Sequence, residues 1–530
     1  MNFLTNYLIY RYNDQSGFFS GPTFGKLQNT SFGSIDFLSG NLLNLLIKLF
    51  GAVSSVNLLL IFYTLVNLLC SYLLFKKLGR GKVFSVIFSF LYSFSIYFIF
   101  RAISITPNLY LVFIFPLSLY LLLKGIHPAF LGMLNFLFVC LSSYYAFFNI
   151  ILIGLWYITG KKPLNILKFA APLIIGIVLL FLPYLKQNTY LGNYSSESPM
   201  TVYRPIEDWY NLSFRPWYFF IPPKSSVFFG EFSKNIHEKI KNTGYYLADD
   251  YMEEEMAGSY MGWHFLLGMA FVAVLLLLKK YKNKEFPVFK TVYENKELIT
   301  RSFFIIFCIL LISGPPSFTI HGIEIYTPTY LLYYIIPVFR TLVRWAVVIY
   351  LFVLIINSFL IQDLYNLMKT KLQKTLFILT FIALNFVIFA IKIPVINIEK
   401  PPVEIAYVKE KYPQSVPYAV YPKGDYYSIF WVISHEDLLI NPVNYVNYET
   451  GFDSNEFSKK LITEEGIQEF LKQNPKYLIY YPEKISDDDL EKILKINPVL
   501  RTRDDIYGFF EQKIGEGVKV GESVVFEVGK

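Results

Sequence analysis

The residues able to do chemistry are few and stand apart in this sequence. An acidic run, Asp249-Asp250 followed by Glu253-Glu254-Glu255, gathers carboxylate oxygens of the kind that Mg²⁺ or Mn²⁺ prefers. A solvated loop is the plainer reading of such a run, and no metal site is assigned. Arg101, Arg340 and Arg344 each lie at the end of an apolar run. A guanidinium offers a planar donor fork to oxyanions, and a cation at a membrane boundary is costly unless it snorkels or pairs. Asp14, in Tyr12-Asn13-Asp14-Gln15, and Asp36 are the acids of the N-terminal fifty residues. The first has the setting of a turn aspartate, and the second is placed to cap a helix. Cys70, Cys140 and Cys308 lie singly inside apolar runs, and the five histidines form no ligand motif, so neither a disulfide framework nor a structural zinc site is indicated.

The elements that must position these residues are apolar and long. Of 530 residues, 54% are hydrophobic and 19% aromatic, and the mean hydropathy of +0.42 is that of a polytopic membrane protein rather than a soluble core. The net charge of +8 comes from Lys and Arg in short loops between apolar runs, a pattern set by membrane topology and not by a nucleic-acid partner. Two apolar runs, 56–75 and 83–100, are joined by Lys76-Lys77-Leu78-Gly79-Arg80-Gly81-Lys82, which carries four cations and no acid. Each run nearly matches a bilayer core of roughly 30 Å, and the link is expected in the cytoplasm.

Run length and punctuation give about ten transmembrane helices: 56–75, 83–100, 109–123, 129–142, 146–159, 169–184, 261–278, 302–314, 344–361 and 375–392. The fourth and fifth are split at Ser142-Ser143-Tyr144-Tyr145, which keeps Lys161, Lys162 and Lys168 with the inside loops. The loop from Lys279 to Arg301 carries seven cations against three acids and is also expected inside. The fold class expected is an all-α polytopic membrane bundle with a C-terminal extracytoplasmic α/β domain. Its parts are an outer-face segment 1–52 with an interfacial helix at Leu42–Phe50, a transmembrane domain 53–395 with a large outer loop 185–260, and a tail domain 396–530. An N-terminal segment of this kind outside the membrane suggests a further helix upstream of Met1.

In the tail, Tyr418–Tyr421, Lys476–Tyr481, Tyr507–Glu511 and Val524–Val528 read as strands. Ile467, Phe470 and Leu471 have helical spacing, and Ser486 followed by Asp489 reads as a capping box. The tail has no Gly-rich phosphate loop and no nucleophile elbow.

Pieces spread over the membrane half carry a resemblance. They include Leu49-Phe-Gly-Ala-Val-Ser-Ser-Val-Asn-Leu58, Leu74-Phe-Lys-Lys-Leu-Gly79, Leu91-Tyr-Ser-Phe-Ser-Ile-Tyr97 ahead of Arg101, and Ser143-Tyr-Tyr-Ala146. The Pro116-containing span, Gly258-Ser-Tyr-Met-Gly-Trp263, Ser313-Gly-Pro-Pro316 and Pro337-Val-Phe-Arg-Thr-Leu-Val-Arg344 complete the set. The layout over roughly 35–395 resembles the GT-C superfamily of membrane glycosyltransferases, in particular the multispanning branch named for YfhO-like proteins. The resemblance implies a multi-pass protein of the cytoplasmic membrane that moves a sugar from a polyprenyl-phosphate carrier to an outer-face glycan, lipid or protein acceptor. It implies an acid in the first outer loop as catalytic base, for which Asp14 and Asp36 are the candidates, although neither stands in the adjacent acidic pair of many family members. It also implies cations on the lipid phosphate, for which Arg101, Arg340 and Arg344 are the candidates. The other reading is non-catalytic: a transporter, or a subunit that binds the lipid carrier or assembles envelope glycans. The missing acidic pair favours that reading, while the lack of an acid or lysine in mid-span argues against transport.

Overall fold

The computed structural model describes residues 37–50, 52–104, 106–185, 206–240, 253–320, 322–336, 341–393, 402–413, 416–422, 438–441, 446–447 and 452–529. The chain falls into two compact units, one of residues 58–394 and one of 1–57 with 395–530.

The first of these is helical. Its centre is the helix Ala346–Asn366, apolar on every face and buried throughout residues 346–360. A helix hydrophobic all round belongs inside a bundle, and this one has its neighbours on all sides. Three further helices are long and apolar enough to cross a membrane: Ser54–Lys77, Trp263–Lys282 and Lys371–Phe389. Each leaves a stripe of large apolar side chains uncovered at helical spacing. Leu58, Ile61, Phe62, Leu65 and Leu69 form one stripe, Leu267, Phe271, Val274 and Leu277 a second, and Leu372, Leu376, Leu379 and Phe386 a third. Such stripes on several helices are what a hydrocarbon environment tolerates and water does not.

The number of spans differs from the ten read in the sequence. Among the described residues four helices have the length and composition to span, or five when the bent pair Lys82–Ser93 and Ile96–Ile103 is taken as one. The pair turns by 42°. Ser95 leaves helical dihedrals there, and its side chain accepts from the Phe98 amide at 3.4 Å, starting a new helix. The other apolar runs are helices where expected; Ile114–Leu123, Pro128–Leu141 and Ser143–Thr159 are short, while the helix Leu164–Leu185 has 22 residues. At 1.5 Å per residue the ten-residue helix Ile114–Leu123 reaches about 15 Å, half of a bilayer core. Lys296–Ser313 is too charged at its start to count as a span by composition. The split at Ser142 is present, since one helix ends at Leu141 and the next begins at Ser143. An antiparallel hairpin, β1 (Ser317–Ile320) and β2 (Ile323–Tyr326), follows the Lys296–Ser313 helix.

Buried polar side chains tie the short helices together. Asn149 donates to Ser118 Oγ at 2.9 Å and to Asn135 Oδ1 at 2.8 Å, joining three helices. Asp363, buried in the central helix, accepts from the Thr291 and Val292 amides at 3.1 and 3.0 Å and caps the helix Lys290–Glu294. Arg80 in the basic link is buried as well. It donates to the Ser358 carbonyl at 3.3 Å and lies over the Phe359 ring at 4.4 Å, so this cation serves packing.

The second unit contains the helix Phe37–Phe50, longer than the interfacial stretch read at Leu42–Phe50. It also contains a five-stranded mixed sheet in the order β4-β3-β7-β9-β8. The strands are β3 (Pro417–Tyr421), β4 (Leu438–Leu439), β7 (Tyr477–Tyr480), β8 (Gly517–Val520) and β9 (Ser523–Glu527), with β5 (Val446–Asn447) and β6 (Phe452–Asp453) forming a separate pair. β3 runs parallel to β4 and β7, while β9 is antiparallel to β7 and β8. Leu478, Tyr480, Phe526 and Ala419 on the sheet pack with Ile467, Phe470, Ile506 and Phe510 from helices. Ser486 accepts from the Asp489 amide at 3.2 Å in the expected capping box, opening the helix Asp487–Ile496. The expected strand at Tyr507–Glu511 is instead part of the helix Arg503–Ile514. Thr502 and Asp505 form a second capping box there, and Ile506 and Phe510, four apart, face the core.

Candidate functional site

Arg101 ends the second limb of the bent helix pair and is 1% exposed. The segment that meets it begins with the one-turn helix Glu253–Met256 and continues through Ala257-Gly258-Ser259. Gly258 lies so close to that limb that a Cβ on it would stand 3.1 Å from the Tyr97 Cα, so the approach needs a residue without a side chain. Ala257 and Tyr260 pack with Ile96, Phe100 and Ile388 in one apolar cluster. The result carries Glu255 onto Arg101, whose Nη1 donates to Glu255 Oε1 at 2.7 Å.

Arg344 arrives from a third segment. It lies in the single turn Leu342–Trp345 that leads into the central helix, fixed by Trp345 stacked on Phe148 with ring centres 4.0 Å apart. The Val343 amide donates to the Leu212 carbonyl at 3.0 Å, and the Thr341 amide to the Tyr144 hydroxyl at 2.8 Å. Arg344 Nε donates to Glu255 Oε2 at 3.0 Å and Nη2 to Oε1 at 2.6 Å, a bidentate fork. Both oxygens of Glu255 are therefore held by two guanidiniums that come from residues 154 and 89 positions away.

Aromatic hydroxyls surround this ion triad. The Arg344 guanidinium lies 4.9 Å from the Tyr144 ring centre, and that of Arg101 lies 5.5 Å from Tyr97. Tyr145 donates to the Leu109 carbonyl at 3.0 Å, which leaves its oxygen to accept from the Tyr97 hydroxyl at 2.8 Å. Burial by itself raises the Glu255 pKa, but the charges and hydrogen bonds of Arg101 and Arg344 outweigh it and hold the carboxyl down at about 2. Glu255 is thus a fixed carboxylate at neutral pH and too weak a base to accept a proton from an acceptor hydroxyl.

Of the residues singled out in the sequence, Arg101 and Arg344 are brought together and Glu255 of the acidic run joins them. Asp14, Asp36, Arg340, Asp249 and Asp250 lie outside the described residues. The idea of Glu255 as a metal ligand or solvated loop acid is replaced, because its two oxygens face arginines in a buried site. Among the described residues no group of three His, Cys, Asp or Glu side chains is placed to hold a metal ion. The sequence did carry a signal for Glu255: it is the last acid before the apolar, small-residue stretch Met256–Met261 and so the one drawn inside with it. In the neighbouring 206–240 segment, Arg215 is buried and donates to the Tyr210 carbonyl at 2.8 Å. Burial first, and Lys224 second, hold His237 down at about 4, so it is neutral at pH 7.

No family model matches the chain, and neither a curated protein nor a solved structure matches it.

Proposed function

We propose that the Arg101–Glu255–Arg344 triad is the phosphate-binding end of a membrane glycosyltransferase that takes its sugar from a polyprenyl-phosphate carrier. The observation that carries the reading is the convergence of two guanidiniums, from segments far apart in the sequence, on a single oxyanion. A phosphate offers the same acceptor geometry as the Glu255 carboxylate, and Arg344 retains 17% side-chain exposure from which to reach it. In this reading the helices that end at the triad face the outer side, with the basic links 76–82 and 279–301 inside and the bundle completing about ten spans. The acceptor hydroxyl attacks the anomeric carbon, the bond from that carbon to the phosphate oxygen breaks, and the lipid phosphate departs with the electron pair. The arginines stabilise the charge that grows on it. The hydroxyl proton passes to a carboxylate base, a role proposed for Asp14 or Asp36, since the low pKa of Glu255 disqualifies it.

That same disqualification favours a second reading, in which the chain binds the lipid carrier without transferring sugar, as a subunit of envelope-glycan assembly. The two part on one experiment. Protein in nanodiscs is given a radiolabelled polyprenyl-phosphate sugar together with membrane lipid and glycan acceptors. Loss of sugar from the carrier in wild type, abolished in both Asp14→Asn and Asp36→Asn combined, supports transfer. Carrier binding with no turnover supports the second reading, and absence of both overturns the phosphate site.

A further inference from the structure

A second cationic site lies at the other end of the same helices. The Ser143–Thr159 helix starts beside the triad with Tyr144 and Tyr145 and ends with Trp156 and Tyr157, about 17 Å further along its axis. The Lys296–Ser313 helix covers a similar distance, about 18 Å, between Arg301 and Ser313. Its last residue, Ser313, accepts from the Phe214 amide near the outer loop, and Arg301 stands near its start. Between these far ends is a cavity of about 310 Å³ lined by Trp156, Gly160, Lys162, Asn165 and Arg301, with Pro128 and the Leu122–Ile126 turn closing it.

The lining is built for an anion. The Arg301 guanidinium lies over the Trp156 ring at 4.6 Å from its centre and approaches Gly160 so closely that a Cβ there would be 3.0 Å from Nη2. Among the described residues no carboxylate comes within ion-pair distance of Arg301 or Lys162; Glu297, exposed and one turn earlier on the Arg301 helix, acts on the guanidinium through its charge without pairing with it. Lys124 and Lys161 adjoin the lining residues in sequence and add to the positive field. The rim, in contrast, is apolar and uncovered: Ile158, Leu164 and Leu167 are 56%, 72% and 68% exposed, and Phe304 lies one turn beyond Arg301.

A polar, cationic hollow opening beside bare aliphatic side chains matches an amphiphile with an anionic head and an acyl tail. We propose that this cavity binds the phosphate of an anionic phospholipid, with Arg301 and Lys162 on the phosphate oxygens and the acyl chains along Ile158, Leu164 and Leu167. The proposal is independent of the triad and of sugar transfer. The shared chemistry is a phosphate on two cations, and the source is read by comparing a lipid with the bare ion.

The test uses the full chain purified in detergent, with bound lipid counted by native mass spectrometry and thermal stability followed in parallel. Phosphatidylglycerol, phosphatidylcholine and inorganic phosphate are added separately to wild type, Arg301→Gln and Lys162→Gln. The expected result is retention of phosphatidylglycerol by wild type, roughly 10-fold weaker in either variant, with phosphatidylcholine unaffected. Lys162 is exposed, so its variant keeps the fold even where Arg301→Gln does not. Stabilisation by inorganic phosphate alone, lost in the variants, would overturn the lipid source and leave a soluble phosphate as the ligand. Equal phosphatidylglycerol retention in wild type and Lys162→Gln, or none in wild type, would overturn the site.

Discussion

Replacing Glu255 by Gln leaves Arg101 and Arg344 facing each other across a neutral amide. Breaking a buried ion group in this way costs about 3–5 kcal/mol, because the remaining charges stay desolvated. Glu255→Gln is therefore expected to lower the thermal midpoint of the detergent-solubilised protein by several degrees, measured by tryptophan fluorescence. The pH dependence follows from the same carboxyl. Its folded pKa of about 2 lies below the ordinary 4.5, so its stabilisation is complete above pH about 4.5 and is lost as the pH falls towards 2. Wild type should lose stability across that window, and the part of the loss due to this residue should be missing in Glu255→Gln. An identical acid slope in both proteins would contradict the assignment. His237 acts in the same direction with pH, although it is the neutral form that burial favours: stability is lost as the pH falls from about 6.5 and the loss is complete below about 4.

At the scale of elements, the site depends on a segment lying flat on a helix. Gly258→Val would drive a branched side chain into the Tyr97 backbone. Overpacking of this kind costs about 1–3 kcal/mol and would move Glu255 off Arg101. The expected outcome is a protein with a lowered melting temperature and a flattened acid slope like that of Glu255→Gln. Asp363→Ala removes the carboxylate that accepts two amides at the start of Lys290–Glu294, a loss of about 1–2 kcal/mol, read as faster hydrogen exchange confined to residues 290–294.

The sequence made much of this level legible. Helix positions followed apolar run length, the break at Ser142 followed from loop charge, and the capping box at Ser486 from its own residues. Helix lengths were less legible, because residues such as Phe113 and Phe94 are apolar yet lie in turns, where composition alone cannot separate them from a span. Tyr507–Glu511 reads as a strand because an aromatic cluster has high strand propensity, while Thr502 and Asp505 set a helix start five residues earlier. Arg101 and Arg344 were legible as costly cations at helix ends. Their partner was not, since pairing over 89 and 154 positions is a product of the tertiary fold.

At the scale of the molecule, the proposed reading requires the two ends of the Ser143–Thr159 helix to lie on opposite sides of a membrane. Single cysteines at Lys161 and at Lys234, in a background where Cys70, Cys140 and Cys308 are replaced by Ser, test this with a membrane-impermeant maleimide on intact cells. Labelling at 234 with protection at 161 until the cells are opened is the expected pattern. Labelling of both from the same side would remove the topology on which the proposed reaction rests.

The most direct measurement is the affinity of wild type, Arg344→Lys and Arg344→Gln for a polyprenyl phosphate, with the matching polyprenol as control, all in nanodiscs. The phosphate-clamp account predicts binding of the phosphate over the alcohol, weakened about 10-fold in Arg344→Lys by loss of the fork and further in Arg344→Gln. Polyprenol binding should be unchanged across the three. Equal affinity for phosphate and alcohol in wild type, or phosphate binding unchanged in both variants, would contradict it and leave the triad as a packing device.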